Sequence, residues 1–198
     1  MHVKHYFLVK IGNTFYSLTK YVIIYLNNLR KISMNEEINI RVLSVSNNFA
    51  KEHKKEIDRV LHENEFFSTV INDNYMTFIL SIIHENNPPT IEGIALVTKK
   101  FPLTLHSFCI SNKYKGQQIG KNFYNLLEQS LNKIFYEMNT QQYQICLTSS
   151  KNNEGFYKKL GFVQSGTFKS SSLLLEEKNR ELIFFVKNIN LEELENKN

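Results

Sequence analysis

Lys115-Gly116-Gln117-Gln118-Ile119-Gly120 stands between two stretches of different periodicity, and that junction decides the fold. Before it, residues 103–110 (Leu-Thr-Leu-His-Ser-Phe-Cys-Ile) read as a strand. After it, from about residue 120 to 137, Phe123, Leu126, Leu127, Leu131, Ile134 and Phe135 recur at the spacing of one helical face. A strand, a short glycine-bearing loop and a helix in that order form the geometry that binds an anion. The first N–H groups of a helix have no internal partner, and the helix dipole adds partial positive charge there. Glycine lets the backbone approach closely, and Lys115 and Lys121 add Coulombic attraction at the rim. A glycine at a helix start also serves as a plain cap, so the loop alone leaves both readings open. No Gly-Lys-Ser/Thr follows at the spacing of a triphosphate-binding loop, and the glycine spacing of a dinucleotide fingerprint is missing. Nucleotide hydrolysis and hydride transfer lose ground accordingly.

Working outward, residues 38–43 alternate as a half-buried strand, and Ser46, Asn47 and Asn48 offer N-caps to a helical stretch whose apolar stripe is Ala50, Ile57, Val60 and Leu61. Asp73-Asn74 marks a turn, and residues 75–83 and 91–98 read as two antiparallel strands interrupted over 84–89. Beyond the long helix come a core strand over 143–148, a short helix over 153–160 closed by Gly161, and strands over 162–167 and 181–187. The order is β, α, β, β, β, α, β, α, β, β, an α/β (α+β) pattern.

With 198 residues, 42% of them apolar, the chain has material for one domain with a substantial core. We divide it into an extension over 1–36, a domain over 37–190 and a polar tail over 191–198. The net charge of +5 traces to residues 1–35, where Lys4, Lys10, Lys20, Arg30 and Lys31 meet no Asp or Glu. The remainder is balanced, so no clustered basic face for nucleic acid is expected. The extension's longest apolar run, residues 21–26, is too short to span a bilayer. The acid-free composition of residues 1–35 fits organelle targeting by residues 1–33, an element packed on the domain, or sequence upstream of a start at Met34; without targeting, the expected location is cytoplasmic. Cys109 and Cys146 lie inside apolar runs and read as buried reduced thiols, with no metal site expected.

A second motif, Asn153-Glu154-Gly155-Phe156-Tyr157-Lys158-Lys159-Leu160-Gly161-Phe162, follows the strand over 143–148. Together, Lys-Gly-Gln-Gln-Ile-Gly and Phe-Tyr-Lys-Lys-Leu-Gly-Phe resemble the two acetyl-CoA motifs of the GNAT superfamily of N-acetyltransferases, in the same order and at a typical spacing. The resemblance covers roughly residues 38–186. It implies the GNAT fold, a mixed central sheet of about six to seven strands flanked by helices, and acetyl-CoA as cosubstrate. It further implies that amides over Gln117, Gln118, Ile119, Gly120 and Lys121, with Lys115 and Gly116, hold the diphosphate. By the same resemblance the edge at Cys109 and Ile110 pairs with the pantetheine arm, Asn153 hydrogen-bonds that arm, and Phe156 flanks it, although core packing is the other reading of Phe156. Tyr157 is then the acid that protonates the departing thiolate. The chemistry wants such a group, because amine attack on a thioester gives an oxyanion whose collapse expels a thiolate.

Within the superfamily the chain is most similar to the glucosamine-6-phosphate N-acetyltransferases, enzymes of UDP-GlcNAc biosynthesis. Gln118 stands where most other branches have glycine, and Tyr143-Gln144-Ile145-Cys146-Leu147-Thr148-Ser149 followed by Asn153-x-Gly155-Phe156-Tyr157 matches that branch without gaps. The resemblance implies a phosphorylated aminosugar acceptor and a homodimer exchanging the final strands. Two departures stand against it. Thr148 replaces a carboxylate, and His106-Ser107 replaces an acidic pair. The base is therefore open between His106 and Glu154, and Arg41, Lys99 and Lys100 are the cations that could meet a sugar phosphate. The alternatives are a peptide N-terminus or lysine as acceptor, a small amine such as a polyamine, or an acetyl-CoA binder without catalysis.

Overall fold

The computed structural model describes residues 6–11, 14–19, 28–33, 36–65, 71–83, 88–169 and 181–192. The apolar run over 21–26, Met34, the break over 84–87 and the tail beyond 192 lie outside the described residues. The contacts divide the chain into two units, the first Met1–Lys100 with Ser107–Leu131, the second Phe101–His106 with Asn132–Asn198.

In the first unit, β1 (Tyr6–Ile11) and β2 (Thr14–Thr19) form an antiparallel pair. β3 (Asn28–Ser33) joins the edge of β4 (Glu36–Val45), so a strand from within the basic extension enters a sheet. β4 pairs with β5 (Tyr75–Ile83), and β5 with β6 (Thr90–Thr98), all antiparallel. β5 and β6 are buried at seven consecutive positions each, which explains why they read as near-continuous apolar runs. Ser46 caps α1 (Asn47–Glu52) by accepting the Phe49 N–H at 3.2 Å. The stripe predicted for one helix is carried by two, since His53 ends α1 and begins α2 (Lys54–His62), its ring stacked on Phe49 at 4.2 Å. Ile57, Val60 and Leu61 of α2 pack with Val45, Ile79, Ile94 and Leu96 in a common core. Each such buried side chain contributes roughly 1.5–3 kcal/mol.

The strand β7 (Leu103–Ile110) and the helix α3 (Ile119–Glu137) each contribute to both units. In the first unit, Phe108 of β7 stacks on Phe123 of α3 at 5.0 Å, and Ile119, Phe123, Tyr124, Leu126, Leu127 and Leu131 are buried. In the second, β7 pairs in parallel with β8 (Gln142–Ser150) through Leu103 and Thr104. β8 pairs antiparallel with β10 (Glu181–Asn190), and β10 with β9 (Val163–Lys169). α4 (Glu154–Lys159) follows β8 after a single 3-10 turn, and Gly161, at φ +86, closes it as predicted. Lys187 donates to the Leu160 carbonyl at 2.7 Å and fixes that turn on β10. Among the described residues no helix is long and apolar enough to cross a membrane.

Candidate active site

β7 ends at Ile110, a 3-10 turn runs over Asn112–Tyr114, and residues 115–118 turn into α3. Gly116 adopts φ +80 with nothing within 4 Å of where a Cβ would stand, so its need for glycine is conformational. Gln118 adopts φ +62, the left-handed region that costs a side-chain-bearing residue roughly 1–2 kcal/mol. Gln118→Gly is accordingly expected to raise stability by up to about 1 kcal/mol in chemical denaturation, strain relief being offset in part by the freedom of an unfolded glycine. A loss of stability would show that the Gln118 side chain holds more than its backbone costs.

The helical ladder of α3 begins with Asn122 N–H donating to Gln118 C=O at 3.0 Å. Ile119, Gly120 and Lys121 therefore present their amides in the first turn, where the helix has no acceptor for them. The Gln117 amide is directed back to the Tyr114 carbonyl at 3.4 Å, and its side chain donates to the Lys113 carbonyl at 2.8 Å. Lys115, Gly116, Gln117, Gln118 and Lys121 are exposed, whereas Ile119 is fully buried and anchors the helix start. Cys109 is buried against Ile94, and burial pushes its thiol up to about 12; Cys146 is raised for the same reason. Both are neutral thiols of low nucleophilicity, in keeping with the sequence reading.

The second motif belongs to the second unit. Asn153 donates from Nδ2 to Ser149 Oγ at 3.1 Å and precedes α4 with its side chain exposed. Tyr157 is buried, with its ring against Phe156 at 5.2 Å, Phe162 at 5.7 Å and Phe185 at 5.6 Å. Phe156 is half-buried. Glu154 pairs with Lys158 at 2.5 Å, and that hydrogen bond holds its carboxyl below the ordinary value. This is the opposite of what a base poised near neutrality needs. His106 is exposed on β7, and Thr148 is exposed on β8.

One cluster was not singled out from the sequence. Glu92, 1% exposed, accepts from Lys113 Nζ at 2.7 Å and Arg59 Nη2 at 3.2 Å. Arg59 also donates to Glu63 at 2.9 Å. Burial works to raise the Glu92 and Glu63 carboxyls, but it is outweighed at Glu92 by hydrogen bonds from Lys113 and Thr90 and at Glu63 by those from Asn112, Ser111 and Arg59, so both lie below the usual glutamate value. A carboxyl lowered in the folded state stabilises in full above its unfolded pKa and loses that contribution as pH falls through the folded one. The thermal midpoint should therefore stay level from neutrality to about pH 5 and drop below it, with a shallower acid limb in a Glu63→Gln variant. An unchanged limb would mean that the network does not govern acid unfolding. The visible signal was the lone acid in the apolar run of residues 91–97. Among the described residues, no group of three or more His, Cys, Asp or Glu could hold a metal ion.

The sequence pattern of the family described as Acetyltransferase (GNAT) domain matches residues 45–171. The chain belongs to the GNAT acetyltransferase family. β4 to β10 supply the seven strands of the GNAT mixed sheet, flanked by helices, as the sequence led us to expect. Solved structures similar to it include the ribosomal-protein-S18-alanine N-acetyltransferase from Escherichia coli, with 14% identity, TM-score 0.55, and coverage of 76% of this chain and 94% of that one. Naa50 from Arabidopsis thaliana, in complex with a bisubstrate analogue, gives 18% identity, TM-score 0.51, and coverage of 75% and 97%. An aminoglycoside 6'-N-acetyltransferase complexed with coenzyme A gives 12% identity, TM-score 0.52, and coverage of 74% and 96%. At these identities the likeness shows the fold. No curated protein matches the sequence. As a GNAT enzyme the chain is an N-acetyltransferase with acetyl-CoA as cosubstrate.

Proposed function

We propose that this GNAT enzyme transfers acetyl directly from acetyl-CoA to the amine of glucosamine 6-phosphate. The cofactor half of the reading rests on the first-turn amides of Ile119, Gly120 and Lys121, which are suited to a diphosphate, with Lys115 at the rim. In this reading the edge at Cys109 and Ile110 and the side chain of Asn153 take the pantetheine arm. The amine attacks the thioester carbon, the C–N bond forms, and the C–S electron pair leaves on sulfur. Tyr157 Oη gives its proton to that thiolate, and the ammonium proton leaves to a base, for which exposed His106 is better suited than Glu154. The observation favouring the aminosugar is Gln118, a side chain kept at φ +62 where glycine would be unstrained, and the feature by which the loop resembles the glucosamine-6-phosphate branch. A homodimer through β9 and β10 and a cytoplasmic location go with this reading.

A second reading, acetylation of a peptide N-terminus, is favoured by the similar folds that act on a ribosomal protein or carry a bisubstrate analogue, while Thr148, in place of the expected carboxylate, speaks for acetyl-CoA binding without catalysis. Thiol release from acetyl-CoA, measured with glucosamine 6-phosphate, a peptide panel and spermidine in separate reactions, separates the two. The proposal expects release with the sugar phosphate alone. Release only with peptides would replace the aminosugar by the second reading, and release only with spermidine would sink both.

A further inference from the structure

Glu92 sits where the β5–β6 register steps, with Leu80 opposite Gly93 and Ser81 opposite Ile91, so it has no partner on β5. Such a bulge turns a side chain away from the regular pleat. Here the carboxylate meets Lys113 Nζ at 2.7 Å and Arg59 Nη2 at 3.2 Å, while the Glu92 carbonyl accepts the Ser111 N–H at 2.8 Å. From the end of α2, Glu63 Oε2 accepts the Asn112 N–H at 2.7 Å and the Ser111 hydroxyl at 2.8 Å. The Glu63 carbonyl accepts from Asn112 Nδ2 at 3.2 Å, and Asn64 Nδ2 donates to the Ile110 carbonyl at 2.9 Å. Arg59 Nη2 donates to the Ile91 carbonyl at 2.7 Å and Nη1 to Ser111 Oγ at 3.2 Å, which closes the network.

Every residue from 110 to 113 is thus gripped from outside, immediately before Lys115 and Gly116. Within the loop, the Gln117 amide makes only a long 3.4 Å bond to the Tyr114 carbonyl. We infer that Glu92, with Arg59 and Glu63, is a positioning device that fixes the stalk of the diphosphate loop and so sets acetyl-CoA affinity without touching the cofactor. The inference rests on the proposed cofactor role of that loop. Convergence of amides on one anion is sensitive to small displacements. A carboxylate that is 1% exposed and held by two cations resists displacement, because breaking those contacts leaves a buried charge unpaired, whereas Arg59 and Lys113 keep access to solvent.

Charge gives the test its direction. Glu92→Gln and Glu63→Ala each remove a negative charge near an anion site, so Coulomb attraction alone would tighten acetyl-CoA binding. The positioning account expects the reverse, a Kd raised by on the order of 10-fold or more, with kcat at saturating acetyl-CoA unchanged. Glu63 is partly exposed, so Glu63→Ala keeps the test open if Glu92→Gln does not fold, and Glu63→Gln, which retains an acceptor oxygen, should recover part of the affinity. The experiment is calorimetric titration of acetyl-CoA into the full chain and each variant, beside their thermal midpoints. Lower midpoints with unchanged or tighter binding would overturn the inference and leave a network serving stability alone. A wild-type chain that binds no acetyl-CoA would instead overturn the cofactor reading, and this inference with it.

Discussion

Tyr157→Phe is expected to lower the rate of acetyl transfer by about 100- to 1,000-fold while leaving acetyl-CoA affinity unchanged, the scale at which a positioned general acid acts. The ring is buried and held by three aromatic neighbours, Phe156, Phe162 and Phe185, none of whose contacts needs the phenolic oxygen. Phenylalanine keeps the ring and these aromatic contacts, so the substitution removes the phenolic hydroxyl. A thiolate leaving group without that donor must depart as the free anion or find its proton in water. Steady-state thiol release, with acetyl-CoA binding measured on the same preparation, gives the answer. An unchanged rate would remove Tyr157 from the mechanism and return it to the core, where its packing alone would explain its presence.

The second large effect is on stability. A Cβ added at Gly93 would stand 2.9 Å from Leu80 Cβ, 3.0 Å from the Cys109 carbonyl oxygen and 3.1 Å from the Phe123 ring. None of these neighbours yields cheaply, one being a Cβ fixed to its strand, one backbone and one a fully buried ring at the start of α3. Gly93→Ala should therefore destabilise the chain by about 1–3 kcal/mol, the usual cost of overpacking, and Gly93→Val by more. Because the clash is with β7 at Cys109 and with α3 at Phe123, the strain falls on the elements that carry the loop proposed to hold the diphosphate. We expect acetyl-CoA affinity to fall along with the denaturation midpoint. A neutral Gly93→Ala would mean that β6 and β7 can separate locally without loss.

The two strands over 75–83 and 103–110 were legible to the residue because each is bounded by turn-forming residues, and the first is filled with β-branched and aromatic ones. The start of α3 was legible within one residue for the same kind of reason, a glycine-bearing loop beside a strong helical stripe. The break at His53 was not, since no glycine or proline marks it and the apolar stripe continues across it. Glu92 shows a different limit. Its acidity in an apolar strand could be seen, but the bulge that aims it at Arg59 and Lys113 is a property of the β5–β6 register, which the sequence of one strand does not contain. Gln118 was notable only by resemblance until its backbone angle showed what that position demands. On the acceptor side the residues nominated as base, His106 and Glu154, lie in exposed or solvent-screened settings. Sequence chemistry alone gave no way to rank them before the Glu154–Lys158 pair was visible. Substrate choice is written in loops that one fold varies freely, which is why the cofactor motifs were readable and the acceptor was not.

If the turn into α3 is built for the diphosphate of acetyl-CoA, as proposed, affinity should fall with acetyl-pantetheine, which lacks the diphosphate together with the adenosine 3′-phosphate. It should hold with acetyl-dephospho-CoA, which keeps the diphosphate and lacks only the 3′-phosphate. Calorimetric titration of the full chain should show acetyl-CoA binding on the order of 100-fold more tightly than acetyl-pantetheine, since charge-assisted hydrogen bonds to first-turn amides are worth roughly 1.5–3 kcal/mol each. Equal affinities for acetyl-CoA and acetyl-pantetheine, an equal loss with acetyl-dephospho-CoA, or no binding of any of the three, would contradict it.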